Sequence, residues 1–230
     1  MLTYLVNYSR NFLIIFCAMA LFFAPFVAVF WWRNRATIKE NKPHFNYFME
    51  KFFLSHEADA LVFTWAAAEA IAWFIIPEFL LFLVIFMRIH RKFDLLKYDL
   101  LGTIVGSVIA ILWHLPQSAF LRLPYIRPKM LVQAQTWYHS HGIWGLLYQP
   151  FSGVPYKVFT HEAANYHFFI PAFLLIAVVA RMVRYLIIYE ATSAAYPLLH
   201  RFVRKHYAIL FVLATAIFTA LLLRVVQVYS

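Results

Sequence analysis

Three ionisable side chains sit where an apolar chain has least use for them. Glu69 and Glu78 fall within residues 60–87, and Lys157 within 142–162, both otherwise strongly hydrophobic. A charge held at membrane depth is costly, so it marks a proton, ion or substrate path, or it pairs with an opposite charge. Glu69 suits proton carriage, because burial favours the neutral form of a carboxyl. Glu78 directly follows Pro77 and is expected at a turn facing water. Arg181 and Arg184, three residues apart, share a helix face at the cytoplasmic end of a span. They either set topology or clamp phosphate, since a guanidinium matches two phosphate oxygens at once. Thr160, His161 and Glu162 follow Lys157 as weaker polar candidates. A Glu–Lys pair that only ties the two segments together is the plainer alternative.

Other chemistry finds little support. The chain has ten histidines, among them His139, His141, His161 and His167, but no HExxH arrangement. An i, i+2 pair does not share a helix face, so they are read as interfacial, with no metal and no cofactor expected. No serine or cysteine stands in a recognisable nucleophile setting, and no glycine-rich phosphate loop occurs. A non-enzymatic function is therefore expected.

The elements that must position these groups are membrane helices. Hydrophobic residues make up 64% and charged residues 13%, against roughly 25% charged in a soluble domain. An all-α polytopic membrane protein is expected. The net charge of +10 lies in short loops beside apolar runs, which fits orientation and anionic lipid headgroups better than nucleic acid. Residues 12–32 are too long for a signal-peptide core and end in the Trp31–Trp32 belt, so they read as a retained first helix. The other ordinary spans are 100–121, 163–180 and 207–223, each near the ~20 apolar residues a bilayer requires.

Segments 60–87 and 142–162 are broken instead. Pro77 interrupts the first; Pro150, Gly153 and Pro155 interrupt the second. If 60–87 crossed the bilayer, the four bases of 88–99 would face outward; if it dips and returns, they stay inside. With both segments returning, fourteen Lys/Arg lie inside and five outside, with Lys157 at membrane depth. Two re-entrant hairpins from opposite faces, plus about four transmembrane helices, form an inverted repeat, which in transporters puts the substrate site near the midplane. Backbone freed at such breaks must be satisfied by protein or by a watery cavity. Gly102 and Gly106 form a GxxxG on the intervening helix, allowing another backbone to come close.

AEAIAWFIIPEFLLF (68–82), GVPYKVFTHEA (153–163) and ARMVRY (180–185) resemble motifs of the DedA, or VTT-domain (SNARE-associated), membrane proteins, in particular their YqaA-like branch. The resemblance covers roughly residues 58–190, leaving 1–57 as an additional N-terminal helix and linker, and 191–230 as a C-terminal linker and helix. It implies that Glu69, Pro77 and Glu78 match the first hairpin's acidic motif. Pro155, Lys157 and Thr160 match the second, and Arg181 and Arg184 the arginine pair. The chain departs at His161, Glu162 and Asn165, where the family has apolar or small residues. The resemblance further implies movement of phospholipids or polyprenyl-phosphate carriers, with proton-motive-force dependence, in a bacterial inner membrane. Anionic lipids are the expected partners and protons a candidate second one; homo-oligomerisation is left open. The competing expectation is a non-transporting scaffold or assembly factor for envelope proteins.

Overall fold

In lipid, backbone polar groups must pair within their own segment, which leaves an apolar chain of this kind to fold as helices. The structure, a computed structural model, describes residues 2–41, 45–75, 81–82, 84–86 and 92–230. Its helices are α1 (Leu2–Asn41), α2 (Phe45–Phe53), α3 (His56–Ile71), α4 (Lys92–Trp113), α5 (Gln117–Phe120) and α6 (Pro128–His141). After a 3-10 stretch over Gly142–Tyr148 come α7 (Gln149–Ser152), α8 (Tyr156–Asn165), α9 (Ile170–Lys205) and α10 (Tyr207–Val228). Among the described residues no strand occurs. Among the described residues, four helical stretches are long and apolar enough to cross a bilayer: Val6–Ile38, Phe93–Trp113, Ile170–Val203 and Tyr207–Val228.

Several boundaries differ from the sequence expectation, each for a local reason. The span expected over 100–121 starts at Lys92 and stops at Trp113. Pro116 disfavours helical backbone before it, and His114 takes a positive φ of 37°. The span expected over 163–180 is cut at Tyr166–Phe169, and α9 begins afresh at Ile170 with proline in its first turn. It then continues to Lys205, past the expected limit at 180 and through residue 190, because Leu186, Ile187 and Ile188 prolong the apolar run. Arg181 and Arg184 therefore lie inside a helix, not at the end of one. Pro150, expected to break the second segment, opens the short helix α7 instead. The break itself falls at Gly153, whose φ of 71° costs glycine little, and at Pro155, the N-cap of α8.

Helices α3 and α4 pack side by side and parallel. A Cβ on Gly102 would come within 3.0 Å of the Ala66 Cβ, and one on Gly106 within 2.6 Å of the Ala67 Cα. Larger side chains there would force the two backbones apart. After Ile71 the chain turns back: the Trp65 indole N–H donates to the Ile75 carbonyl at 2.9 Å. A continuing helix would carry Ile75 about 15 Å beyond Trp65. Two apolar clusters flank the α3–α4 pair. One gathers Phe23, Phe52, Phe53, Trp65 and Tyr207; the other joins α6, α8 and α9 through Tyr138, Phe159 and Phe173. Helix α10 lies along α1, where the Tyr8 hydroxyl donates to the Ala216 carbonyl at 2.8 Å.

Candidate functional site

The site forms where two helices end inside the bundle. At the C-terminus of α3 the last carbonyls have no partner within the helix; at the N-terminus of α8 the first N–H groups have none. Each end draws its missing partner from the other. The Lys157 ammonium, on the first turn of α8, donates to the carbonyls of Ala72 at 3.0 Å and Trp73 at 3.2 Å. One turn on, the Thr160 hydroxyl lies 2.8 Å from the Ala70 carbonyl and 2.9 Å from that of Lys157. In return, Glu69 on the last turn of α3 accepts the Tyr156 N–H at 3.2 Å. The charges match the helix dipoles, with the cation at the negative end and the carboxylate at the positive end.

Arg181 completes the cluster from α9. Its guanidinium forms an ion pair with the Glu69 carboxylate and lies 4.7 Å from the centre of the Tyr156 ring. The Tyr156 hydroxyl sits 2.8 Å from Ser107 Oγ, and that hydroxyl donates to the Thr103 carbonyl at 2.6 Å. Glu69, Lys157, Thr160 and Arg181 are all fully buried. A buried carboxylate and guanidinium are tolerable only as a pair, because desolvation of either alone costs several kcal/mol.

Of the sequence candidates, Glu69, Lys157, Thr160 and Arg181 are thus brought together. The pairing differs from the plainer expectation: Glu69 meets Arg181, and Lys157 meets carbonyls. Arg184, expected to act with Arg181 as a phosphate clamp, faces a different space. It lines a cavity of about 160 Å³ with Phe74, Gln149, Gly153 and Pro155. Pro77 and Glu78 lie outside the described residues.

His161 and Glu162 form a neighbouring polar group, farther along α8. Glu162 Oε2 accepts from Gln135 Nε2 at 3.1 Å and Asn165 Nδ2 at 3.3 Å. The His161 ring stacks on Phe120 at 4.1 Å. Tyr156 and Ser107 were not among the sequence candidates. Tyr156 adjoins Lys157 and could have been found from that adjacency; Ser107 gives no sequence signal, since its partner lies 49 residues away. Comparison of the chain with protein-family models, curated proteins and solved structures finds no match in any of the three.

Proposed function

We propose that the chain is a membrane lipid transporter, a flippase or scramblase for phospholipids or polyprenyl-phosphate carriers, of the DedA or VTT-domain type. In this reading 60–87 and 142–162 are re-entrant hairpins entering from opposite faces. The observation that carries it is the exchange of caps between α3 and α8. Two helices that stop within the bundle, with charged groups meeting at their ends, match the broken helices around which transporters build substrate sites.

The turn at Ala72–Ile75 and the parallel run of α3 and α4 support the first hairpin, since parallel neighbours require the chain to return between them. So does the contact of Phe86 with Tyr196 at 6.2 Å; Tyr196 stands fifteen residues, about 22 Å, along α9 from Arg181. Two of the bases counted to the inner face, Arg181 and Arg184, lie along α9 instead. The inner side remains the richer in Lys and Arg.

The headgroup phosphate is drawn to Arg184 at its cavity, beside the Lys157–Arg181–Glu69 cluster. Protonation of Glu69 removes the charge that holds Arg181, which loosens the contact between the two hairpins and links proton movement to access. The test is lipid translocation by purified protein in liposomes, with phospholipid and polyprenyl-phosphate probes, for wild type and Glu69→Gln. The expected result is wild-type translocation that the substitution strongly reduces. Equal rates would remove Glu69 from the mechanism. Activity that emerges only with an added envelope protein would favour the scaffold alternative.

A further inference from the structure

At the end of the bundle formed by the start of α1 and the close of α10 lies a cavity of about 280 Å³, lined by Asn7, Arg10, Asn11, Tyr125, Arg127 and Gln227 among others. Among the described residues, Tyr125 is the one that also lines the Arg184 cavity. Its hydroxyl donates to Asn11 Oδ1 at 2.7 Å, on the basic side. Its ring packs 5.4 Å from Phe74, in the turn that follows α3. Tyr125 holds a φ of 63°, a backbone region that bulky side chains rarely occupy. Such a conformation persists only where the surroundings enforce it, and it is frequent at clamps and switches.

We propose that the Arg10–Arg127 cavity is an outer binding site for an anionic headgroup, and that Tyr125 is the barrier between it and the Arg184 cavity. The identity of the ligand rests on the lipid-transport reading; the barrier does not. Two arginines at one end and Arg184 at the other give a phosphate a cationic stop on each side of the tyrosine ring. Passage then requires the Asn11 bond to break and the ring to leave Phe74.

The barrier can be read without any lipid. In full-length protein with Cys17→Ser, Val154→Cys puts a single thiol in the lining of the Arg184 cavity. Purified protein in detergent is treated with a sulfonate-bearing or a trimethylammonium-bearing methanethiosulfonate, and the labelling rates are compared. A closed barrier opens in no more than ~10% of molecules, so Tyr125→Gly should speed labelling at least about tenfold. Glycine accepts the backbone conformation at this position without strain. Tyr125→Phe, which keeps the ring and loses the Asn11 bond, should fall between. The sulfonate reagent should label faster than the cationic one, and Arg10→Gln with Arg127→Gln should narrow that preference to the part that Arg184 supplies beside the thiol. Equal rates with Tyr125 intact and replaced would overturn the barrier. Faster labelling by the cationic reagent, or a preference that the two glutamines leave unchanged, would overturn the anion site. A wild type that moves no lipid would refute the proposed function and leave these readouts standing.

Discussion

The Glu69–Arg181 pair allows the stability role of the site to be separated from its functional role. In Glu69→Gln the amide oxygen still accepts the Tyr156 N–H, but the Arg181 guanidinium keeps its charge in a buried setting. In Arg181→Met the Glu69 carboxylate is left in the same position. Removing one member of a buried pair costs about 3–5 kcal/mol. For a chain of this size each kcal/mol lowers the melting temperature by about 2–4 °C, so each single variant should melt about 6–20 °C lower. The double variant carries neither charge and keeps the acceptor. Its main loss is the guanidinium–Tyr156 ring contact, worth about 1 kcal/mol, so it should melt within a few degrees of wild type. The measurement is a four-way mutant cycle by thermal unfolding in detergent, with lipid translocation on the same preparations. Near-native stability with translocation abolished in the double variant is the expected outcome. A double variant as unstable as the two single losses combined would refute the pairing, and one that transports normally would refute its part in the mechanism.

Other substitutions probe the surrounding geometry. Lys157→Met leaves the Ala72 and Trp73 carbonyls without their ammonium donor, at about 1–3 kcal/mol for each acceptor left buried; hydrogen exchange should rise at the end of α3 while α10 stays protected. Gly106→Val drives a side chain into the Ala67 backbone and should abolish monodisperse protein on size exclusion. Arg33→Ala breaks a 2.9 Å bond to Glu57, but Arg33 is largely exposed. It should cost less than about 1 kcal/mol, a shift barely visible in the melting curve.

Long apolar runs were readable because bilayer thickness sets their length, and α1 and α10 fall where such runs stand. The break at Gly153–Pro155 was readable from residue type alone. Charged and proline punctuation is the poorer guide to where elements end. Arg181 and Arg184 read as the end of a span, yet Arg181 enters the bundle because Glu69, 112 residues away, neutralises it. No local pattern carries that pairing. Helix α6 is legible in its residues: Met130, Leu131, Ala134 and Tyr138 are its buried stripe, behind a proline suited to a helix start. The stop at Trp113 is signalled by Pro116 close behind it. Arg184 shares a helix face with Arg181 by spacing, but the three-residue offset leaves it at a cavity while Arg181 is enclosed.

The order of synthesis acquires a constraint from the shared caps. Ala70, Ala72 and Trp73 reach the membrane long before the ribosome has made Lys157, Thr160 or Arg181. Until then the end of α3 has a carboxylate and carbonyls without the partners they take in the folded protein. The end of α3 can therefore take its final form only once the later third of the chain arrives.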